Sequence, residues 1–243
     1  MKKIFVPTGF VIALLLSALS VFAQTQSRDD ILKEIEDKRA ELAALEKRFL
    51  SPSENDQAEH ADFLRLPETG LIRLLPREKY DTEGSKERKQ RLTLRGGGAY
   101  YSFTRLTHEY GYGSDIELAQ GSLSTGFAGA NYGILTSLGD TPLENVTLEI
   151  AAAQVLAAHT PPGDEPDARI EQQKWAKGAT IEGTSFANRL PLNANTTYLV
   201  RAIDYSTSDV LVAFRVVRVD IDGSAIILWK TLKKYPIPNL ARN

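Results

Sequence analysis

The sequence predicts a mainly β, antiparallel fold, a β-sandwich or open barrel, with an N-terminal amphipathic or coiled-coil helix. Three observations predict it. Between Thr196 and Lys233, three runs rich in Val, Ile, Leu and aromatic residues are separated by polar turns, the pattern of a meander. From Leu92 to Ala187, shorter strand-like runs recur between Gly, Asn and Pro. Ahead of both, residues 27–50 carry apolar side chains at alternating spacings of four and three.

In chain order, residues 1–23 have the form of a secretory signal peptide. Lys2 and Lys3 supply the positive start and Phe10 to Leu19 the apolar run. Val21-Phe22-Ala23 ends in the small residue a signal peptidase needs. The expected product is periplasmic or extracellular and begins at Gln24, with no membrane span once the leader is removed. An uncleaved anchor is the competing reading, but the apolar run is short for a span and Pro7 and Gly9 interrupt its start.

The segment 24–50 is the helix. Ser27 is an N-cap candidate, and Asp29 and Asp30 place negative charge in the first turn, where the helix dipole favours it. Ile31, Ile35, Lys38, Leu42, Leu45 and Phe49 form a heptad seam that Lys38 breaks once. The stripe suits a homo-oligomer or a partner helix, or equally the chain's own β domain. Ser51-Pro52 ends the helix.

Residues 51–90 read as a connector. Its apolar part, Phe63 to Leu75, is cut by Pro67 and Gly70 and is expected to dock in short pieces. Leu66-Pro67-Glu68-Thr69-Gly70 has the form of the pentapeptide cleaved by sortases. That signal belongs near a C-terminus, before a span and a basic tail, so its occurrence here reads as coincidence. Charges of alternating sign from Arg77 to Arg91 suit a solvated linker.

The β-rich domain is expected over 91–243. Candidate strands are Leu92–Leu94, Ala99–Leu106, Asp115–Gln120, Ser122–Phe127, Tyr132–Ser137 and Ala179–Ala187. Gly96-Gly97-Gly98 permits a bend after the first. Glu144–His159 reads as strand to about Leu148 and then a helical turn or two. Thr160–Pro166 reads as a loop and Arg169–Trp175 as a short helix. In the meander, Asp222-Gly223 favours a tight hairpin. A two-residue turn sets Arg215 against Lys230, an unfavourable like-charge pair, whereas a longer turn over Asp220–Gly223 sets it against Leu228. Both registers give β-strand faces that are largely apolar, as in a strand covered on both sides.

The chemistry is sparse. The chain is cysteine-free, which excludes disulfides, thiol catalysis and thiolate metal sites. Its net charge of −2 argues against nucleic acid as the main partner. Gly121-Ser-Leu-Ser-Thr-Gly126 has the wrong spacing for a serine-hydrolase elbow, and Gly111-Tyr-Gly113 lacks the third glycine of a dinucleotide fingerprint. Asp220-x-Asp222-Gly223 lacks the later ligands of a calcium loop. His60, His108 and His159 are scattered, so no metal and no cofactor is expected. Asp115, Glu117, Glu149 and Glu182 are carboxylates in or near strands. They admit a carbohydrate-active hydrolase of the cell envelope, against the simpler reading as polar strand faces. The loop Thr107–Ser114 gathers His108, Glu109, Tyr110 and Tyr112 around two glycines. Tyrosines on a loop offer an apolar face and a hydroxyl, so these four are the candidate ligand contacts, for an envelope glycan or protein. The same rings could instead cap the end of the domain. The favoured functional expectation is an exported, noncatalytic binding or scaffold protein, and the hydrolase is the alternative.

Overall fold

The computed structural model describes residues 27–81, 92–108, 110–111 and 113–241. The leader, most of the charged run before Arg91, Glu109 and Tyr112 lie outside the described residues. The chain divides into two units, residues up to Leu45 and Glu46–Asn243. No helix among the described residues is long and apolar enough to cross a membrane.

The first unit holds most of helix α1, Arg28–Leu50. Ser27 caps it as expected: its Oγ accepts from the Asp30 amide at 3.1 Å, and its own amide donates to Asp30 Oδ2 at 3.2 Å. Lys38 reaches Glu41 at 2.8 Å along the helix surface.

The second unit is mainly β, with antiparallel sheets. It opens with the last turn of α1, whose Leu50 is buried. Then come α2 (Glu54–Glu59), α3 (Ala61–Leu64), β1 (Thr69–Leu74) and α4 (Arg77–Tyr80). The segment read as a connector therefore supplies a strand. β1 pairs with the last strand of the chain, and Leu74 and Leu75 are fully buried. Thr69 and Gly70 of the sortase-like pentapeptide lie in this pairing, opposite Lys230 and Trp229. Helix α2 has a capping box between Ser53 and Asp56, and Asp56 also pairs with Arg218.

The next strands are short: β2 (Tyr100–Tyr101), β3 (Ile116–Ala119), β4 (Ser122–Ser124) and β5 (Tyr132–Ser137). A 3₁₀ turn at Leu143–Asn145 leads to helices α5 (Ala151–Ala158) and α6 (Glu165–Lys177). Then follow β6 (Ala179–Ile181), β7 (Thr184–Phe186) and β8 (Arg189–Pro191). The meander comes last: β9 (Thr196–Asp204), β10 (Ser208–Val219) and β11 (Ala225–Lys234).

One sheet has the order β1-β11-β10-β9-β5 and a second the order β2-β3-β4-β8, while β6 and β7 form a separate hairpin. Alternation along β9 and β10 divides their side chains between two cores. Val200, Ala202, Val210, Val212, Phe214 and Val216 meet Tyr101, Phe103, Ile116, Leu118 and Leu123 of the second sheet and its loops. On the other face, Leu199, Ile203, Leu211 and Ala213 meet Ala153 and Leu156 of α5 and Trp175 of α6. The meander is thus covered on both sides, as its composition predicts. Each buried Val, Leu or Phe contributes about 1.5–3 kcal/mol of transfer free energy.

Arg215 lies opposite Leu228, as the longer turn would place it, but neither expected turn forms: Val219 pairs with Ala225, the Asp220 amide donates to the Ser224 carbonyl at 2.8 Å, and an irregularity at Val217 shifts the register before the turn. Arg215 instead reaches Asp140 and the Thr141 carbonyl. Other expectations give way to local chemistry. Leu92–Leu94 is no strand, because Gly96, Gly97 and Gly98 all take positive φ and turn the chain at once. Ala99–Leu106 keeps strand only at Tyr100–Tyr101; Asp115 then takes the Phe103 amide, and Leu106 turns the chain with φ 56°. Glu144–Leu148 is not strand, since Leu143 and Val146 are both buried at a spacing that a 3₁₀ turn places on one side. Ala179–Ala187 is broken into a hairpin by Glu182 and Gly183, both at positive φ. Helix α6 starts four residues early, because Asp164 caps it and Pro166 is tolerated in its first turn.

Candidate functional site

The loop 107–114 begins by doubling back on the second sheet, where Thr107 bridges Ser102. His108 then enters the interior. Its Nε2 lies 2.9 Å from the Arg73 carbonyl, so Nε2 carries the proton and donates. Its ring stands edge-on to Tyr101 at 4.9 Å. Burial, only partly offset by the Arg73 bond, pushes its pKa down to about 4, and the ring is neutral at physiological pH. Tyr110 turns the other way. Its ring packs on Tyr100 at 4.7 Å and under the Arg95 guanidinium at 4.8 Å. Glu109 and Tyr112 lie outside the described residues. Of the four candidate contacts, the two described ones therefore point to different neighbours, and Tyr110 stays half-buried.

Tyr110 covers one end of a polar row. Tyr100, Glu117, Ser124 and Arg189 are register partners across β2, β3, β4 and β8. Such partners project to the same face. Glu117 accepts from the Tyr100 hydroxyl at 2.7 Å, from Ser124 Oγ at 2.9 Å and from Arg77 at 3.0 Å. Arg77 also faces Asp81 at 3.5 Å and lies 5.6 Å from the Tyr100 ring centre. Burial, with Glu117 as acceptor, keeps the Tyr100 phenol protonated. The carboxylate is neutralised by Arg77 and committed to three donors. The Ser124 hydroxyl donates a hydrogen bond to that carboxylate, so the elbow-like sequence around it serves the sheet.

A second cluster gathers around Asp115 and Asp204. Asp115 is fully buried and accepts from the Phe103 amide at 2.6 Å. Asp204 accepts from Asn131 Nδ2 at 2.6 Å, and Asn131 Oδ1 in turn takes the Tyr205 amide at 3.0 Å. Ser208 is the register partner of Asp204 and shares its face. Among the described residues, Asp115 Oδ1 and Ser208 Oγ have no hydrogen-bond partner. Burial pushes Asp204 up to about 7. Burial and the nearby Asp204 charge push Asp115 well above the carboxylate range. The remaining candidate carboxylates join neither cluster: Glu149 is exposed ahead of α5, and Glu182 occupies the β6–β7 turn.

The helix-covered face of the large sheet has its own polar group, which the sequence reading passed over. Arg201 and Asp209 are buried opposite-sign partners, joined at 2.7 and 2.9 Å. Arg201 also donates to the Leu156 carbonyl at 2.7 Å, near the end of α5, and its guanidinium lies 3.4 Å from the Tyr235 ring centre. Nearby, Tyr132 and His159 are hydrogen-bonded at 2.7 Å. A charged residue inside the apolar run TTYLVRAID was the available signal, because a buried charge demands a partner. His60, His108 and His159 stay in separate environments, and the described residues hold no group of three or more metal-ligating side chains.

Compared with protein-family models, curated proteins and solved structures, the chain matches none.

Proposed function

We propose that this chain is an exported, noncatalytic binding or scaffold protein, a β-sandwich that docks through its N-terminal helix. The observation that carries the reading is the apolar stripe of the first unit. Ile31, Ile35, Leu42 and Leu45 are 41–47% exposed at heptad spacing. Apolar residues arrayed at this spacing bury their surface when a second helix lies along them. The polar clusters of the second unit agree with a structural role. Glu117 and Asp209 are held by guanidinium partners, and Asp115 is enclosed. Export follows from the form of residues 1–23.

The test compares the exported chain with Ile35→Asp and Leu42→Asp, by light scattering and by retention on envelope material. Loss of association without a change in β-domain melting supports the proposal. Association and retention identical to the unmodified chain would overturn it.

A further inference from the structure

We infer that Asp115, Asp204 and Ser208 bind a hard divalent cation, calcium, inside the second unit. Three segments bring their oxygens together. Asp204 ends β9, Ser208 begins β10, and the two are register partners. Each stands two residues from Ala202 or Val210, so alternation turns both to the face on which those residues meet Ile116 of β3. Asp115 directly precedes Ile116. Ser208 Oγ faces the lead-in to that strand, since a Cβ on Gly113 would lie 3.4 Å from it. The Asp204 charge is felt at Asp115.

Burial leaves these oxygens short of partners. Asp115 is 0% exposed, and Asp204 and Ser208 are each 5% exposed. Asp115 spends Oδ2 on the Phe103 amide and leaves Oδ1 unbonded. Asp204 spends Oδ1 on Asn131. Ser208 Oγ, enclosed beside the two carboxylates, bonds to nothing among the described residues. Buried polar groups in folded chains are satisfied by protein, water or an ion. No cation of the described residues neutralises the pair; the Arg201 guanidinium is committed to Asp209 on the opposite face of the sheet. Without a counter-charge, burial drives protons onto both carboxylates. A divalent ion displaces those protons and balances two negative charges.

The donor chemistry selects the ion. Every donor is oxygen, with no imidazole or thiolate in the set, which favours a hard ion over zinc or copper. Magnesium demands a near-ideal octahedron and keeps its water. Calcium accepts irregular sets of about six to eight oxygens, with backbone carbonyls and water among them. The three side chains supply only part of that number. The site is therefore a weak one, in the range of about 10⁻⁴–10⁻³ M.

The test is thermal melting and calorimetric titration of the full chain at pH 8, first stripped with EDTA, then given calcium chloride or sodium chloride at matched ionic strength. Calcium at about 10 mM is expected to raise Tm by about 5 °C, and sodium chloride to leave it in place. Asp115→Asn keeps the shape of the side chain and is expected to abolish the shift. Ser208→Ala deletes only an unbonded hydroxyl, so it is expected to melt normally in EDTA and to bind calcium roughly tenfold more weakly. An unmodified chain that neither shifts with calcium nor takes it up in the titration overturns the site. A shift of equal size with sodium chloride reports screening and overturns it as well. Full calcium binding in both variants places the ion elsewhere and overturns the assignment to these residues.

Discussion

Arg201 holds Asp209 through two parallel hydrogen bonds of 2.7 and 2.9 Å while a third donor of the same guanidinium takes the Leu156 carbonyl. One side chain thus joins neighbouring strands to the end of a helix, inside a core where neither charge meets water. Removing one partner leaves the other charged and buried. Arg201→Met or Asp209→Leu alone is expected to cost about 3–5 kcal/mol in urea unfolding. The double variant should recover a large part of that loss, since it leaves no lone charge. A loss in the double variant equal to the sum of the two single losses would show that the pair is not coupled.

Asp204 sets a pH dependence. Its folded pKa of about 7 lies above the ordinary 3.8, so between those values the folded chain holds more protons than the unfolded one. Stability from this group is full below pH 4 and is lost as pH rises toward 7. Asp115 acts in the same direction. His108 acts in the opposite one: its folded pKa near 4 lies below 6.5, so its contribution is present above 6.5 and lost as pH falls toward 4. Asp204→Asn leaves His108 untouched and keeps an oxygen for Asn131. Thermal melts should show the variant gaining on the unmodified chain from pH 5 to pH 8, by on the order of a few kcal/mol. Parallel melting curves across that range would refute the assignment.

The glycine turn after Thr93 gives a ranking. A Cβ on Gly97 would lie 2.5 Å from the Asp81 amide nitrogen and 2.6 Å from the Tyr80 carbonyl carbon, both backbone atoms, at φ 60°. At Gly223 the nearest atom is Pro76 Cγ at 3.5 Å, so only the positive φ of 84° is violated. Gly223→Ala should cost about 1–2 kcal/mol. Gly97→Ala should cost more, and Gly163→Ala, in open space, almost nothing. Denaturant midpoints in another order would count against the packing of Gly97 on the Tyr80–Asp81 backbone.

Tyr110 separates structure from recognition in the loop. Its contacts with Tyr100 and Arg95 predict that Tyr110→Ala lowers stability by about 1–3 kcal/mol. Retention on envelope glycans should stay unchanged under conditions where the variant is folded. Normal melting with lost retention would return the loop to the role of a binding surface.

The meander was legible because β-branched and aromatic residues recur there at the period of a strand, and Asp222-Gly223 marks its last turn. β1 was not. Pro67 and Gly70 break the local pattern, and its pairing partner lies near the other end of the chain, beyond the reach of any local window. Gly70 is small because a Cβ there would lie 2.6 Å from the Trp229 ring, a fact of tertiary packing. Helix α6 was trimmed by reading Pro166 as a loop marker, although Asp164 was present to cap it. The loop chemistry was legible as composition only. Nothing local reveals that the Arg73 carbonyl waits for His108, or that Tyr110 finds Tyr100.

The β1–β11 pairing also bears on how the chain must be made. A polypeptide leaves the ribosome, or a secretion channel, from its N-terminal end. β1 therefore emerges before the other described strands and its partner β11 after them. Until then Thr69–Leu74 has no strand to pair with, although β5, β9 and β10 can already pair with one another. The β1–β11 ladder closes only once β11 has emerged, so this pairing lags the synthesis of β1. Until β11 emerges, Leu74 lacks its strand partner Ala225, and truncation before Ala225 removes the strand that pairs with β1.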